Sequence, residues 1–385
     1  MRLTCLFLVY TFLLPILFTT LGRAQESDID FFRSEKRNQR FEAGAPVISP
    51  WIIPAYIPEM KFIVAGGLLT TFKTKKNNAY LPHSTFPITL GINTNASFFA
   101  TAFLTSYWRD DNIRFYFDFR YRNLDDNYWG TGIDKGFDIE KGSTTTQYHN
   151  NEYRVNPKLL FRVADRFFLG LNADINHTIA SDISELMKED QHILLYGTNI
   201  LNVAAGITLN YDSRDFLSNP ASGLLVNIEG LYYNKALGGQ YNYEILELDY
   251  RQYLEIIRNG SVLAWQIKAR IGFEQVPWTD MSTIGGFYDL RGYYKGQFRD
   301  RSMSFILLEY RHKFFRRGSV NLSRHGMVFW VGGGTVFSKP QDIKKLLPGV
   351  GLGYRYELQP NMNLRIDFGF GSQTMGIYLG FNEIF

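Results

Sequence analysis

Few side chains in this sequence could support covalent or metal chemistry, and their spacing favours neither. The 385 residues include six histidines and one cysteine, Cys5. The serine and histidine pairs His83/Ser84 and Ser323/His325 lack a recognisable third group that would orient the histidine as a base. The histidines also lack the spacing of a metal site. We therefore expect no enzyme activity, no cofactor and no metal. The remaining candidate interactions are those between charged side chains.

Charged residues alternate with apolar ones along several segments, which predicts strands with one polar face. Residues 113–122 separate aromatic from polar side chains, with Phe115, Phe117, Phe119 and Tyr121 on one face and Arg114, Tyr116, Asp118, Arg120 and Arg122 on the other. The same alternation occurs in 167–175 and 246–256. Charges on the inner face require a polar lumen, which a closed transmembrane barrel provides. A soluble β-sandwich would also alternate, but strands of about ten residues are long enough to cross a bilayer.

The composition favours the same class of protein. Aromatic residues make up 16% of the chain, with 32 Phe and 24 Tyr, yet the mean hydropathy is only −0.17. After the N-terminal region there is no apolar run of about 18 residues, which argues against membrane-spanning helices. The formal net charge is +4, without a basic run or a nucleic-acid motif, so we expect no nucleic-acid partner.

The first residues predict a cleaved export signal. Arg2 gives a positive start, Leu6 to Thr19 is almost unbroken apolar sequence, and small residues lead to a cleavage site after Ala24. A membrane anchor is the weaker alternative because the apolar run is short and ends in that site. We expect residues 1–24 to be the signal peptide, 25–46 a short polar periplasmic segment and 47–385 the barrel.

The turns and the alternation together predict an all-β barrel of about sixteen antiparallel strands. Short turns alternate with long connections over 124–147, 181–199 and 277–302, and both termini are expected in the periplasm, so the number of strands must be even. A tight loop at 58–59 then closes a first strand that contains prolines. The predicted strands are 47–57, 61–72, 85–94, 97–107, 112–123, 148–163, 167–180, 200–213, 223–233, 241–256, 261–276, 303–315, 325–337, 349–358, 361–370 and 376–385.

The last predicted strand ends on an aromatic residue, Phe385. Ile377, Leu379, Phe381 and Phe385 would share one face of that strand. A terminal strand of this kind resembles the signal that outer-membrane assembly machinery recognises. We assign that signal to Tyr378, Phe381 and Phe385.

The motif Leu290-Arg291-Gly292-Tyr293 lies in the long connection before five predicted strands, and here the chain resembles the BamA/TamA superfamily. These are outer-membrane assembly and translocation barrels of the bacterial surface antigen type. Further matches are the turn sequence 211–215 and the later segments 246–249, 309–311, 349–353 and 364–367. The resemblance covers about 47–385, most specifically its second half, and implies that the sixth extracellular loop folds into the lumen.

The resemblance also implies a role for Arg291, whose guanidinium would pair with carboxylates on the inner wall. Family members usually place an aspartate on the thirteenth strand where this sequence has Gly332. The carboxylate partners of Arg291 must then come from other positions. Glu309 and Asp367, on lumen-facing registers of neighbouring strands, are the candidates. An exposed Arg291 on a solvated loop is the alternative.

Well-studied members carry periplasmic POTRA domains before the barrel, whereas only about twenty residues separate Ala24 from the first strand here. A folded domain that small would need disulfides or a metal. We expect a member that lacks POTRA domains.

Three functions are compatible with the sequence. The first is insertion or translocation of proteins at the outer membrane through a weak seam between first and last strands. The second is an accessory or structural subunit of an outer-membrane complex, and the third is a passive pore or lipid-handling barrel. The expected partners are outer-membrane lipid and lipopolysaccharide, and further outer-membrane subunits, lipoproteins or client barrels.

Overall fold

The computed structural model describes residues 35–57, 61–78, 81–94, 97–217, 219–256, 260–316, 321–359 and 362–385. The predicted signal peptide, 1–24, and the predicted tight loop at 58–59 lie outside these ranges. Residues 257–259, between the predicted strands 241–256 and 261–276, and residues 360–361, where the predicted strand 361–370 begins, lie outside them as well.

The chain forms a 16-stranded sheet and a separate two-stranded ribbon. The sheet follows chain order, and every hydrogen-bonded neighbour is antiparallel. The strands are β1 (Val47–Ile57), β2 (Lys61–Phe72), β3 (Ser84–Asn93), β4 (Phe98–Trp108), β5 (Ile113–Asn127), β6 (Gln147–Ala164), β7 (Phe167–Ser181), β8 (Asn199–Asp212), β9 (Gly223–Tyr233), β10 (Tyr243–Glu255), β11 (Ser261–Phe273), β12 (Ser282–Ile284), β13 (Phe298–Asp300), β14 (Ser302–Phe315), β15 (Leu322–Phe337), β16 (Leu347–Gln359), β17 (Met362–Phe370) and β18 (Met375–Phe381). The ribbon consists of β12 and β13.

The sixteen predicted strands are confirmed, including the proline-containing first strand and the five strands that follow the Arg291 motif. β1 keeps a continuous register with β2 from Val47↔Thr71 to Ile57↔Lys61, across Pro50. β1 also lies next to β18, so the first and last strands of the sheet approach each other.

Side chains alternate between the two surfaces of the barrel wall, as the sequence predicts. On β7, Leu171 is 65% exposed on the outside, whereas Asp174 is fully buried on the inside. The α-helices of the described residues are short: α1 (Glu35–Glu42), α2 (Ile133–Asp138), α3 (Glu185–Glu189) and α4 (Gln191–Tyr196). Among the described residues, none of the helices is long and apolar enough to cross a membrane.

The last strand is shorter than predicted. β18 ends at Phe381, and Asn382 adopts a positive φ of 60° that turns the chain away from the strand. The Asn382 N–H donates to the carbonyl oxygen of Asn363 at 2.8 Å, which fixes the turn. The prediction that Phe385 lies on the final strand with Ile377, Leu379 and Phe381 is therefore wrong. The turn instead buries the Phe385 side chain.

The long connection between β11 and β14, residues 274–301, is called loop 6 below. It contains the ribbon, whose Ile284 and Phe298 pack in one buried cluster with Leu290 and Trp330. At the end of the barrel that lies opposite the chain termini, the indole of Trp278 donates to the carbonyl oxygen of Gly197 at 2.9 Å. Loop 6 therefore packs against both the inner wall and a neighbouring long connection.

Candidate functional site

The motif of loop 6 lies against the inner face of the last five strands, and Arg291 is at its centre. The Arg291 side chain is completely buried, with Nη1 donating to Asp367 Oδ2 at 2.6 Å and Nη2 donating to Glu309 Oε1 at 2.5 Å. The alternation of β14 and β17 turns both carboxylates inward. The structure thus brings together Arg291, Glu309 and Asp367, the three residues that the sequence analysis proposed as a cluster. One guanidinium joins the two strands that carry the carboxylates.

A third contact involves Trp330 on β15. The Cζ atom of Arg291 lies 4.1 Å from the centre of the Trp330 ring, a cation–π geometry. Gly332, at the position where the family places an aspartate, is a register partner of Leu307. An added Cβ there would lie 2.5 Å from the carbonyl oxygen of Ile306, so the backbone leaves little space for a side chain. The aromatic face of Trp330 therefore takes part in holding the arginine, together with the carboxylates of Glu309 and Asp367.

Glu309 also joins the motif to the C-terminal tail. Its Oε2 accepts from Arg311 Nε at 3.0 Å, and Arg311 Nη2 donates to the main-chain oxygen of Phe385 at 2.7 Å. The Arg311 guanidinium lies 4.9 Å from the centre of the Phe385 ring. The tail that turns at Asn382 is thus linked, through Arg311, to the carboxylate that binds Arg291.

Asp367 has a parallel set of contacts. Its Oδ1 accepts from Arg355 Nη1 at 2.6 Å, and Arg355 Nε lies 2.8 Å from Glu383 Oε2. Glu383 also accepts from Asn363 Nδ2 at 2.9 Å. The site is therefore a continuous network in which carboxylates and guanidinium groups alternate, and loop 6 provides the central guanidinium.

The backbone of the motif is fixed as closely as its side chain. Gly292 has a φ of +107°, and an added Cβ would lie 2.5 Å from the backbone nitrogen of Gly371. Its N–H donates to the Tyr378 hydroxyl at 2.9 Å, and its carbonyl oxygen accepts from the Thr374 hydroxyl. Only glycine meets both requirements without strain. Through these contacts the motif holds β18, the last strand of the sheet.

The remaining residues of the motif complete this contact. The Tyr293 hydroxyl donates to the carbonyl oxygen of Pro348 at 2.6 Å and accepts from the Ser372 N–H at 3.0 Å. Leu290 is completely buried in the cluster that includes Leu307. Each of the four motif residues therefore contacts the wall between β14 and β18 or the connection joining β17 to β18.

The residues assigned to a terminal assembly signal occupy different environments. Tyr378 faces the lumen, where it contacts Gly292, and Phe385 is buried beside Arg311. The side chain of Phe381 lies outside the described part of the chain. Recognition of these residues by assembly machinery stays a prediction.

Several residues of the network were not singled out from the sequence. Arg311 shares a face with Glu309 two residues earlier, so the i, i+2 spacing of opposite charges could have found it. Arg355 and Glu383 gave no comparable signal, because their contact depends on the turn after β18. Within the described ranges, no group of three or more His, Cys, Asp or Glu is placed to hold a metal ion.

The geometry agrees with what the comparisons with known proteins show. A model of the Omp85 superfamily domain matches residues 84–385. This chain is a member of the Omp85 superfamily. The match includes the whole network around Arg291, and with the 16-stranded sheet it identifies an integral outer-membrane β-barrel.

Solved structures support the same fold. This Omp85 barrel superposes on BamA from Haemophilus ducreyi lacking POTRA domains 1–3, with a TM-score of 0.57 and 14% identity over 88% of this chain and 69% of that one. CdiB from Escherichia coli gives 0.58 and 10%, covering 88% and 61%, and CdiB from Acinetobacter baumannii gives 0.52 and 13%, covering 88% and 65%. The chain spans less than two thirds of either CdiB. A comparison with curated protein sequences found no significant match.

Proposed function

We propose that this Omp85 barrel assists the insertion or translocation of proteins at the outer membrane, with its termini on the periplasmic side. The observation that carries the proposal is the seam between β1 and β18. These strands lie side by side, but in their described residues no register of paired residues joins them, whereas every other neighbouring pair has one. Strand edges without a ladder are available for pairing with another chain.

The sequence of β1 supports an open edge. Pro50 and Pro54 lack backbone N–H groups, and residues four apart in a strand direct those groups to the same edge. β1 therefore has fewer donors for a stable ladder. On β2, Gly66 and Gly67 lack side chains that would pack across the strands.

Loop 6 supports the other side of the seam. The Gly292 N–H donates to the Tyr378 hydroxyl of β18. In the connection between β17 and β18, the Ser372 N–H donates to the Tyr293 hydroxyl and the Thr374 hydroxyl donates to the Gly292 carbonyl oxygen. In the proposed cycle, β18 stays attached to β17 and to loop 6 while β1 moves away. The seam then presents a β-strand template to the client within the bilayer.

A reconstituted folding assay tests this function. The full chain is placed in lipid vesicles and a urea-unfolded client barrel is added. The folded client is detected by gel electrophoresis, because a folded barrel migrates differently from the unfolded chain when the sample is not boiled. We expect faster client folding than in empty vesicles, because the seam lowers the barrier to strand pairing. A disulfide between cysteines introduced into β1 and β18 should abolish the gain, and reductant should restore it. Cys5 is the sole natural cysteine, so the introduced pair is easily monitored.

The matched control places cysteines at Ile366 and Leu379, which are register partners on β17 and β18. Locking this existing ladder should leave client folding unchanged. No acceleration by the unlocked chain, or equal loss in both locked variants, would contradict the proposal. Copurification of a stable outer-membrane subunit without client folding would favour the accessory role. Solute leakage from the vesicles without client folding would favour the pore.

A further inference from the structure

Loop 6 makes a second set of buried polar contacts, centred on Asp280. The Asp280 Oδ1 atom lies 3.1 Å from Arg270 Nη2 and 3.6 Å from Arg154 Nη2, and Oδ2 accepts from the Tyr243 hydroxyl at 3.0 Å. The main-chain oxygen of Asp280 accepts from Arg270 Nη1 at 2.7 Å. Asp280 therefore contacts β6, β10 and β11. The hydrogen bonds and ion pairs of Arg291 go to other strands, β14 and β17.

The wall around Asp280 is arranged to receive a carboxylate. Arg154 already binds Asp174 through two hydrogen bonds, at 2.8 and 3.0 Å, and Asp174 accepts from the Tyr233 hydroxyl at 2.8 Å. The rings of Tyr233 and Tyr243 stack with their centres 4.3 Å apart. Two arginines thus face two aspartates, and one of the aspartates comes from the loop. Without Asp280, the buried guanidinium of Arg270 would lose its nearer carboxylate, at 3.1 Å, and keep the more distant Glu247, at 3.9 Å.

The two attachments of loop 6 differ in charge and in place. Asp280 carries a negative charge to arginines on β6 and β11, whereas Arg291 carries a positive charge to carboxylates on β14 and β17. The two sets of contacts have no residue in common. The ribbon strand β12 lies between them in the chain.

We propose that Asp280 is a second anchor of loop 6, which positions the loop as a strap between two arcs of the barrel wall. The strap has two independent ends. When the contacts of Arg291 are removed by substitution, the contacts of Asp280 keep residues 277–284 against the wall. This inference goes beyond the proposed function and holds whether or not the barrel handles a client.

Hydrogen exchange of the full chain in lipid nanodiscs, followed by mass spectrometry of loop 6 peptides, tests this arrangement. In Asp280→Asn, amides of 277–284 should exchange about tenfold faster or more, while those of 290–297 keep their protection. In Arg291→Ala the pattern should reverse. The double variant should expose both segments, with rates equal to those in the single variants, because unlinked sites behave additively.

Two controls separate anchoring from general loss of structure. Glu274→Gln changes an exposed carboxylate in the same loop and should leave both segments protected. Tyr243→Phe removes one hydrogen bond to Asp280 without changing charge and should give a smaller increase confined to 277–284. Folding of each variant is first checked by gel electrophoresis, in which an unboiled folded barrel gives a shifted band. If Asp280→Asn does not fold, Tyr243→Phe is used for the test. Unchanged exchange in 277–284, or loss of protection in both segments together from a single change, would overturn the proposal.

Discussion

Replacing Arg291 by alanine is the most informative perturbation of the network around the loop 6 motif. The Arg291 side chain is completely buried, with one nitrogen 2.6 Å from Asp367 and another 2.5 Å from Glu309. Alanine would remove both hydrogen bonds and the stacking on Trp330, and would leave a cavity between loop 6 and the wall. The perturbation therefore acts on β14, β15 and β17 at once.

The size of the effect follows from what each carboxylate retains. Removing one partner of a buried ion pair costs about 3–5 kcal/mol. Asp367 would still accept from Arg355 at 2.6 Å and Glu309 from Arg311 at 3.0 Å, so neither charge would be left unpaired. We therefore expect a loss near the lower end, about 3 kcal/mol in the free energy of unfolding.

Arg291→Lys separates charge from geometry. An ammonium group on a flexible stem cannot reproduce a planar fork that binds two carboxylates from two nitrogens. We expect it to restore about half of the loss in Arg291→Ala, on the order of 1–2 kcal/mol. Recovery to the wild-type value would contradict the account in which one guanidinium bridges two carboxylates, because a single point charge would then be sufficient.

The assay is urea unfolding of the detergent-solubilised chain, followed by the loss of the shifted band, with trypsin cleavage of loop 6 measured in parallel. Arg166→Ala is the matched control, since that side chain is 57% exposed and lies 3.7 Å from an exposed Asp165. An exposed pair contributes only about 0–1 kcal/mol. The reasoning is refuted if Arg291→Ala unfolds at the wild-type urea concentration and keeps loop 6 resistant to trypsin.

Three further predictions concern single residues near this network. Gly292→Ala should expose loop 6 to trypsin, because an added Cβ at φ +107° would meet backbone, whereas Gly230→Ala, with nothing within 4 Å of the added Cβ, should keep it protected. Phe385→Ala should lower the free energy of unfolding by about 3 kcal/mol, by loss of buried aromatic contacts, and reduce the barrel recovered from outer-membrane fractions while export continues; wild-type recovery would disprove this. Burial raises the pKa of Asp289 in loop 6 from its ordinary 3.8 to about 7, although a backbone hydrogen bond from Gly285 opposes the change. The folded chain therefore holds more protons than the unfolded chain between these values, and its stability should fall as pH rises through that window. Urea midpoints measured across this range should show the fall in wild type and a smaller fall in Asp289→Asn, and a rise in the wild-type midpoint attributable to this residue would be inconsistent with the raised pKa.

The barrel strands could be predicted because each one must satisfy lipid on one face and the lumen on the other. Apolar and polar residues therefore alternate along each strand, as Phe117 and Asp118 do on β5. The candidate partners of Arg291 followed from the same rule, since only inward registers of nearby strands could supply its carboxylates. The motif itself was recognised by resemblance and by the five strands after it.

The parts that the sequence did not predict are contacts between distant segments across the lumen. The environment of Asp280 joins loop 6 to Arg154 on β6 and Arg270 on β11, and their proximity depends on barrel curvature and the path of the loop. The alternation of residues within a strand predicts neither the curvature of the barrel nor the path of the loop. The end of β18 was missed for a similar reason, because the turn at Asn382 is fixed by contacts of Glu383 and Phe385 with other strands.

The central claim is that the seam between β1 and β18 opens for a client. Pulsed electron paramagnetic resonance in lipid nanodiscs measures this directly with spin labels at the outward-facing Ile52 on β1 and Leu352 on β16, which are 74% and 41% exposed. A control pair at Ile306 on β14 and Leu352 spans only strands joined by ladders. We predict that an unfolded client adds a longer distance for the seam pair and leaves the control pair unchanged. A single seam distance, identical with and without client, would contradict the account.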